Sequence, residues 1–232
     1  MQNSRAIVEK GSIALDNSKL PLVDDFPPPK SSKELQAFLG LTNYFRRYIP
    51  LYARLAAPLE ILRNKRTFQL SDTSLKAFQN LKASLRSAPI LHLPDFTRPF
   101  ILACDASTSG FGAVLFQIEE YQDQLAATEI NARPRRIIEL IARALTAAER
   151  NYSIHLLELT AVAWSLAKLK HILLGQRVIV LSDHSSLTLS KEPAPHVTRY
   201  WETLLNFDLS ILYLKGVETS FLIHYLVSLE RK

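Results

Sequence analysis

The 232-residue sequence has one cysteine, one methionine and six glycines. The single cysteine, Cys104, excludes an internal disulfide, so we expect a reducing, intracellular setting. No apolar stretch approaches the ~20 residues that a membrane-spanning helix needs, so no membrane partner is expected. Residues 1–29 carry acidic and polar side chains throughout, which does not fit a secretory signal peptide. With 47% hydrophobic and 22% charged residues, the chain is expected to be globular, with one large domain or two small ones.

The net charge of +6 is concentrated in one part of the chain. Residues 30–92 carry a net charge of +8, whereas residues 1–29 and residues 93–232 each carry −1. A compact basic segment beside near-neutral ones favours binding to a polyanion, above all to nucleic acid. The alternative is a solvated helical surface without a partner.

The basic segment also differs from its neighbours in pattern. Residues 1–29 end in three consecutive prolines and are expected to form an extended connector. Residues 30–92 show helical spacing and are expected to be a small helical module, with Ser31 as the first N-cap. Pro50 and Pro58 are expected to divide the middle of this module into short helices.

The pattern changes from residue 93 onward. The expected order is three strands, helix, strand, helix, strand and helix, which predicts a mixed α/β sheet with helices packed on it. The strands are expected near residues 99–104, 111–117, 136–141, 177–181 and 209–214, the helices near 154–174, 198–206 and 220–229, and a loop over 118–135.

Three carboxylates stand out in the second half of the chain. Asp105 and Asp183 follow expected strands, and Glu158 lies among leucines in the long expected helix. Converging carboxylates repel each other, and a divalent cation relieves that repulsion. Mg²⁺ is usually held by one or two carboxylates plus substrate phosphate, and two such ions ~3.5–4 Å apart support phosphodiester hydrolysis. The alternative is that each acid is an ordinary surface or capping carboxylate.

Longer motifs carry a family resemblance over nearly the whole chain. They are Phe38–Ile49 (FLGLTNYFRRYI), Ala57–Leu59, Ala88–Leu91, Asp105–Ser107, Gly112–Leu115, Ala148–Ser153, Glu158–Leu159 and Ser182–His184. Together they resemble the Pol polyprotein of gypsy-type LTR retrotransposons. The first motifs are similar to the thumb of its reverse transcriptase, and the later ones are similar to its ribonuclease H domain.

The resemblance implies both a fold and an activity. The fold is a ribonuclease H-like mixed five-stranded sheet with flanking helices (93–232), preceded by a helical thumb-like module (30–92). The activity is cleavage of the RNA strand of an RNA–DNA hybrid with two Mg²⁺ ions, or Mn²⁺. By position, Asp105, Glu158 and Asp183 match the family's first three catalytic, metal-binding carboxylates. The residues expected to contact the hybrid, or another nucleic-acid duplex, are Lys33, Arg46, Arg47, Arg54, Lys65 and Arg66.

The sequence departs from the family pattern in two ways. It has no Tyr-x-Asp-Asp polymerase motif, so no DNA synthesis is expected, although residues 8–26 resemble the end of a polymerase palm. His224 stands where the family has its fourth catalytic acid, and imidazole suits Mg²⁺ poorly, so weakened cleavage is expected. The alternatives are an inactive hybrid- or duplex-binding module and a truncated retroelement remnant.

The resemblance also implies partners and a location. If the chain is expressed within a Pol polyprotein, the partners would be the polymerase palm and fingers and the integrase. The expected location is a cytoplasmic virus-like particle or the nucleus.

Overall fold

The computed structural model describes residues 6–9, 11–15, 20–63, 65, 67–88, 90–182 and 195–214. The strands are β1 (Ala6–Glu9), β2 (Ser12–Leu15), β3 (Leu91–His92), β4 (Phe100–Ala106), β5 (Gly110–Ile118), β6 (Arg135–Ala144), β7 (Arg177–Ser182) and β8 (Asp208–Tyr213). The helices are α1 (Leu20–Asp24), α2 (Ser32–Tyr44), α3 (Tyr52–Arg63), α4 (Asp72–Arg86), α5 (Ala127–Ala132), α6 (Ile154–Lys168), α7 (Lys170–Leu173) and α8 (Pro195–Leu205). Short 3₁₀ turns cover Arg46–Tyr48 and Glu149–Asn151.

Five strands form the central mixed sheet in the order β6-β5-β4-β7-β8. β4, β5 and β6 pair antiparallel, whereas β7 pairs parallel with both β4 and β8. A parallel pair needs a crossover connection, which α6 supplies before β7 and α8 supplies before β8. The α/β fold is therefore confirmed, and the five strands follow in the expected order with α6 and α8, whereas the short helices α5 and α7 are additional. The last expected helix, near 220–229, lies outside the described residues.

The two faces of the sheet are covered by different parts of the chain. Phe100 and Leu102 of β4 pack with Leu159 of α6 in one buried cluster. The alternating residues Ile101 and Ala103 belong to a second cluster, which is shared with the helices that precede the sheet. This alternation follows from the two-residue period of a strand. Burying each large apolar side chain contributes roughly 1.5–3 kcal/mol.

The helical module is built from α2, α3 and α4. Ser31 and Ser71 cap α2 and α4, each accepting a hydrogen bond from the backbone N–H three residues later. The expectation for Pro58 was wrong, because this residue lies inside the continuous helix α3. The missing hydrogen bond costs helix stability, but the buried Leu59 and Leu62 beside it pack into the core, and packing supplies most helix stability in proteins.

Two irregular regions are more ordered than the sequence predicts. The expected connector includes a β1–β2 hairpin, and β2 also pairs with β3 at the far end of the helical module. The expected loop over 118–135 contains α5, whose Ala127 and Ile130 are buried one turn apart. The expected long helix ends at Lys168, and α7 follows after Leu169.

No helix in the described ranges has the length and apolar character required to cross a membrane.

Candidate active site

Asp105 lies near the end of β4, the central strand of the sheet, and is half-buried. It pairs across the hairpin with Gly112 of β5. The turn beyond it is held by Ser107, whose Oγ accepts hydrogen bonds from the backbone N–H groups of Ser109 (3.3 Å) and Gly110 (3.2 Å). This turn joins the first two strands of the sheet and fixes the backbone beside the candidate carboxylate.

Glu158 lies in the second turn of α6. Ser153 caps this helix, with its Oγ accepting a hydrogen bond from the N–H of Leu156 (3.4 Å). The flanking residues Leu157 and Leu159 are buried, and Glu158 itself is half-buried, with its Oε2 atom almost inaccessible to solvent. Glu158 is therefore a half-buried carboxylate between two buried leucines.

Helix α6 packs against β4, the strand that carries Asp105. The contact includes Cys104, the residue before Asp105, which lies in one buried cluster with Leu159 and Val162 of α6. Burial raises the pKa of the Cys104 thiol to about 12. Cys104 is therefore a small residue of the core.

The third candidate acid follows β7. β4 and β7 pair in parallel, in a register that ends with Ala103 opposite Leu181, so both strands end at the same edge of the sheet. Asp183 comes directly after Ser182, the last residue of β7, and lies outside the described residues, as does His224. Among the residues that the structure does describe, no three His, Cys, Asp or Glu side chains are grouped so that they could hold a metal ion.

The two described acids suit a hard divalent cation. Asp105 and Glu158 offer carboxylate oxygens, the donor type that Mg²⁺ and Mn²⁺ prefer. Both are half-buried, so a bound cation there would be partly shielded from water and would offset the cost of burying negative charge. Asp105 and Glu158 are thus the described residues that fit such an ion.

An ion pair fixes the segment between β6 and α6. Both Arg143 side-chain terminal nitrogens donate to the Glu149 carboxylate at 2.7 Å, and the guanidinium lies over the rings of Phe111 and Trp164. The Thr146 N–H also donates to Glu149 (2.8 Å), and the Glu149 N–H donates to the Thr146 hydroxyl (3.3 Å), so these two residues form a capping box. These bonds lower the pKa of Glu149 to about 2.

The basic residues predicted to contact nucleic acid occupy different surroundings. Arg47 pairs with Glu139 of β6 (2.8 Å), which ties the helical module to the sheet. Burial raises the pKa of Glu139 above its ordinary value, although the Arg47 guanidinium opposes that shift. Arg66 lies outside the described residues. The other candidates are exposed; they are Lys33, Arg46, Arg54 and Lys65.

The helical module also contacts the hairpin that carries Asp105. Leu51 is buried and has a left-handed backbone (φ 52°), which is strained for a branched side chain. Its Cδ2 lies 2.5 Å from where a Cβ on Gly112 would stand, and Ala53 Cβ lies 3.3 Å from the corresponding point on Gly110. Only glycine leaves room for this approach, so these glycines let the module sit directly on β5.

Comparison with known proteins first defines the class of fold. Residues 70–180 match the family model described as an RNase H-like domain found in reverse transcriptase. A foamy viral protease–reverse transcriptase in complex with dsDNA superposes with a TM-score of 0.67 at 20% identity, covering 91% of this chain and 45% of that one. The same type of protein in complex with an RNA/DNA hybrid gives 0.67 at 17% identity, covering 91% and 29%. The fold is RNase H-like, as predicted.

Sequence relatives then identify the group of proteins. The chain is 37% identical over 221 residues to the retrovirus-related Pol polyprotein from transposon 297 of Drosophila melanogaster, covering 92% of this chain and 19% of the relative. For the Pol polyprotein from transposon gypsy of the same organism, identity is 35% over 198 residues, covering 79% and 18%. The chain thus spans about a fifth of the length of these relatives. The family resemblance is confirmed: the chain is related to gypsy-type retrotransposon Pol polyproteins and carries an RNase H-like domain.

Sequence reasoning missed several residues around the site. The role of Glu139 depends on a contact between residues 92 positions apart, which no local pattern indicates. Arg143 lies six residues before its partner Glu149, a spacing that neither a helix nor a strand period indicates. Arg150, Lys168 and His171 are exposed basic side chains in the near-neutral part of the chain, where no charge excess draws attention to them.

Proposed function

We propose that this chain hydrolyses the RNA strand of RNA–DNA hybrids through its RNase H-like domain. One observation carries the proposal: Asp105 lies near the end of the central strand, and Glu158 lies on the helix packed against that strand. The foamy viral protease–reverse transcriptases are in complex with dsDNA and with an RNA/DNA hybrid, which supports a nucleic-acid partner for this chain.

The proposed site is completed by Asp183, which follows the strand that pairs parallel with β4. Asp105, Glu158 and Asp183 would hold two Mg²⁺ ions, or Mn²⁺. Bound ions of this kind activate a water molecule and stabilise the leaving oxygen as the P–O bond breaks. The chain's own contribution is to hold the carboxylates in place, through the Ser107 turn and the capped helix α6.

His224 distinguishes this chain from the family pattern. A neutral imidazole in place of a carboxylate removes one negative charge, so we expect cleavage to be weak or to depend on Mn²⁺. If cleavage is lost altogether, the chain would be a module that binds hybrid or duplex without cutting it.

We further propose that residues 30–92 act as the thumb-like module that holds the duplex, beside the RNase H-like domain of residues 93–232. The net charge of +8 on the module and the exposure of Lys33, Arg46 and Arg54 support this division. Phosphate contacts by such residues would make binding strongly salt-dependent. Within a larger Pol polyprotein, the module would continue the duplex path from the polymerase palm and fingers.

Cleavage of an end-labelled RNA–DNA hybrid in Mg²⁺ or Mn²⁺ tests the proposal. Asp105→Asn should abolish cleavage, because it removes a charged metal ligand but keeps the side-chain shape. Asp123→Asn is the matched control, since Asp123 is exposed and its ion pair is with the exposed Arg177, and it should cleave like the parent chain.

His224→Asp should raise the rate if residue 224 occupies the fourth acid position. Equal cleavage by the parent and Asp105→Asn would refute the assignment of the active site. Tight hybrid binding without cleavage, even in His224→Asp, would favour the binding-module function.

A further inference from the structure

A small apolar cluster lies beside the two described acids of the candidate active site. Its buried members are Phe111, Leu145, Leu157 and Ala161, and Ala106 and Trp164 pack against them. Ala106 directly follows Asp105, and Leu157 directly precedes Glu158. The small cluster therefore joins the β4–β5 hairpin, which carries Asp105, to helix α6, which carries Glu158.

Arg143 covers the small cluster. This residue lies opposite Phe111 in the β5–β6 pairing. Its guanidinium carbon is 4.6 Å from the centre of the Phe111 ring on β5 and 5.2 Å from the centre of the Trp164 ring on α6. A guanidinium is attracted to the face of an aromatic ring, so Arg143 holds both rings at once. One side chain thus bridges the hairpin and the helix.

The Glu149 carboxylate fixes the direction of this guanidinium. Both terminal nitrogens of Arg143 donate to it at 2.7 Å, and Nη1 also donates to the backbone oxygen of Ala144 (3.1 Å). The Glu149 side chain is only 9% exposed, so water competes little for these bonds. Two parallel bonds hold the plane of a guanidinium, which a lysine ammonium cannot reproduce. The guanidinium therefore stays over the two rings.

The rotation of α6 about its axis decides where the Glu158 carboxylate lies. Leu159, the residue after Glu158, belongs to the larger buried cluster that includes residues of β4. Leu157, the residue before Glu158, belongs to the small cluster. If the small cluster loosens, only the Leu159 side of the helix is held, and the helix can turn and carry Glu158 away from Asp105.

The binding of a divalent cation is sensitive to such a movement. Mg²⁺ takes ligand oxygens at about 2.0–2.1 Å in near-octahedral geometry. Carboxylates that share an ion must be held to within about 0.5 Å, and a misplacement of ~1 Å can cost about 100-fold in rate. Rigid support for α6 therefore has a direct consequence for metal binding.

We propose that Arg143 is a positioning residue for the two carboxylates. It holds α6 against the β4–β5 hairpin, so that Asp105 and Glu158 can bind one divalent cation together. Arg143 touches neither the ion nor the nucleic acid in this role, because its terminal nitrogens are already engaged by Glu149. The inference rests on the proposed function, since it takes the two acids to be metal ligands.

Binding of Mn²⁺ to the full chain, without nucleic acid, tests this role. Electron paramagnetic resonance measures the free Mn²⁺, and the binding that Asp105→Asn loses is the binding that belongs to the site. Arg143→Gln should weaken that binding about 10-fold, the low end of the loss when a group that supports metal ligands is removed. Charge alone predicts the opposite sign, because the loss of a positive charge from this part of the fold favours a bound cation.

Two further variants complete the test. Arg143→Lys keeps the charge but lacks the two-nitrogen contact, so its Mn²⁺ affinity should fall between those of the parent and Arg143→Gln. Arg177→Gln is the matched control, because Arg177 is also paired with an aspartate, Asp123, and lies over the ring of Tyr121. It begins β7, at the opposite end of that strand from the carboxylate edge, so Arg177→Gln should bind Mn²⁺ like the parent. Circular dichroism at the same temperature shows whether each variant is folded.

The outcomes separate this inference from the proposed function. If Asp105→Asn loses Mn²⁺ binding but Arg143→Gln binds Mn²⁺ as tightly as the parent, the positioning role is overturned and the proposed function stands. Equal weakening in Arg177→Gln, or loss of the folded signal in both Arg143 variants, would indicate a general effect on stability and would also overturn the role. Unchanged Mn²⁺ binding in Asp105→Asn would instead refute the metal site, and the proposed function with it.

Discussion

Three glycine-to-alanine variants should change stability in different directions for reasons visible in the structure. At Gly110, an added Cβ would stand 2.4 Å from the backbone oxygen of Arg143 in the paired strand β6. At Gly112, it would stand 2.5 Å from Cδ2 of Leu51, the end of a side chain that can rotate. At Gly40, inside α2, nothing lies within 4 Å.

The expected change in the free energy of unfolding depends on how easily the atom nearest to the added Cβ can move. Overpacking costs typically about 1–3 kcal/mol, and a backbone carbonyl in a sheet ladder cannot move without disturbing β5–β6 pairing. Gly110→Ala should therefore lower the free energy of unfolding by about 2–3 kcal/mol, and Gly112→Ala by about 1 kcal/mol. Gly40→Ala should raise it by roughly 0.5–1 kcal/mol, because alanine favours helix.

Urea denaturation followed by circular dichroism measures this order directly, and thermal unfolding gives a second value. At about 2–4 °C per kcal/mol for a chain of this size, Gly110→Ala should lower the Tm by about 4–12 °C and Gly40→Ala should raise it slightly. A Gly110→Ala protein as stable as the parent, or less affected than Gly112→Ala, would refute the packing of the helical module and β6 around β5.

Two further predictions concern buried titratable groups. Because the pKa of Glu149 is lowered to about 2, its ion pair with Arg143 should stabilise the fold above about pH 4.5 and lose that effect as pH falls through about 2. Glu149→Gln should thus cost about 2–3 kcal/mol at pH 7, and a gap from the parent that stays constant down to pH 2 would contradict this. The thiol of Cys104, with a pKa of about 12, should not react with Ellman's reagent at pH 8 until the chain is unfolded in guanidinium. Rapid labelling of the native protein would show that the β4–α6 contact opens.

Much of the central sheet could be predicted because its signals are local. The apolar runs that became β4, β5 and β7 have strong strand character, and the capping residues Ser31 and Ser71 mark helix starts wherever they occur. The expectations that were wrong concern features whose outcome depends on distant contacts. Pro58 disfavours a helix locally but lies in one that is held by the core, and α5 is too short to show a helical period.

Some residues of the candidate site could likewise be predicted from local sequence, whereas other features depend on the folded chain. Asp105 and Glu158 were recognisable because a carboxylate after an apolar strand, and another among leucines in a helix, conflict with the pattern around them. Asp183 and His224 lie outside the described residues, so their roles remain predictions. The ion pair between Arg47 and Glu139 could not be predicted, because it forms between two segments that lie 92 residues apart in the chain.

The sequence by itself determined the strands of the central sheet, the basic character of residues 30–92 and the family relationship, since each of these depends on residues that are close together in the chain. Only the tertiary structure decided that the helical module packs on β5 at two glycines and that Arg47 pairs with Glu139 of β6. The physical reason is distance along the chain: hydrogen bonds, caps and periodicity act within a few residues, whereas packing and electrostatic grouping join residues that only the folded chain brings together.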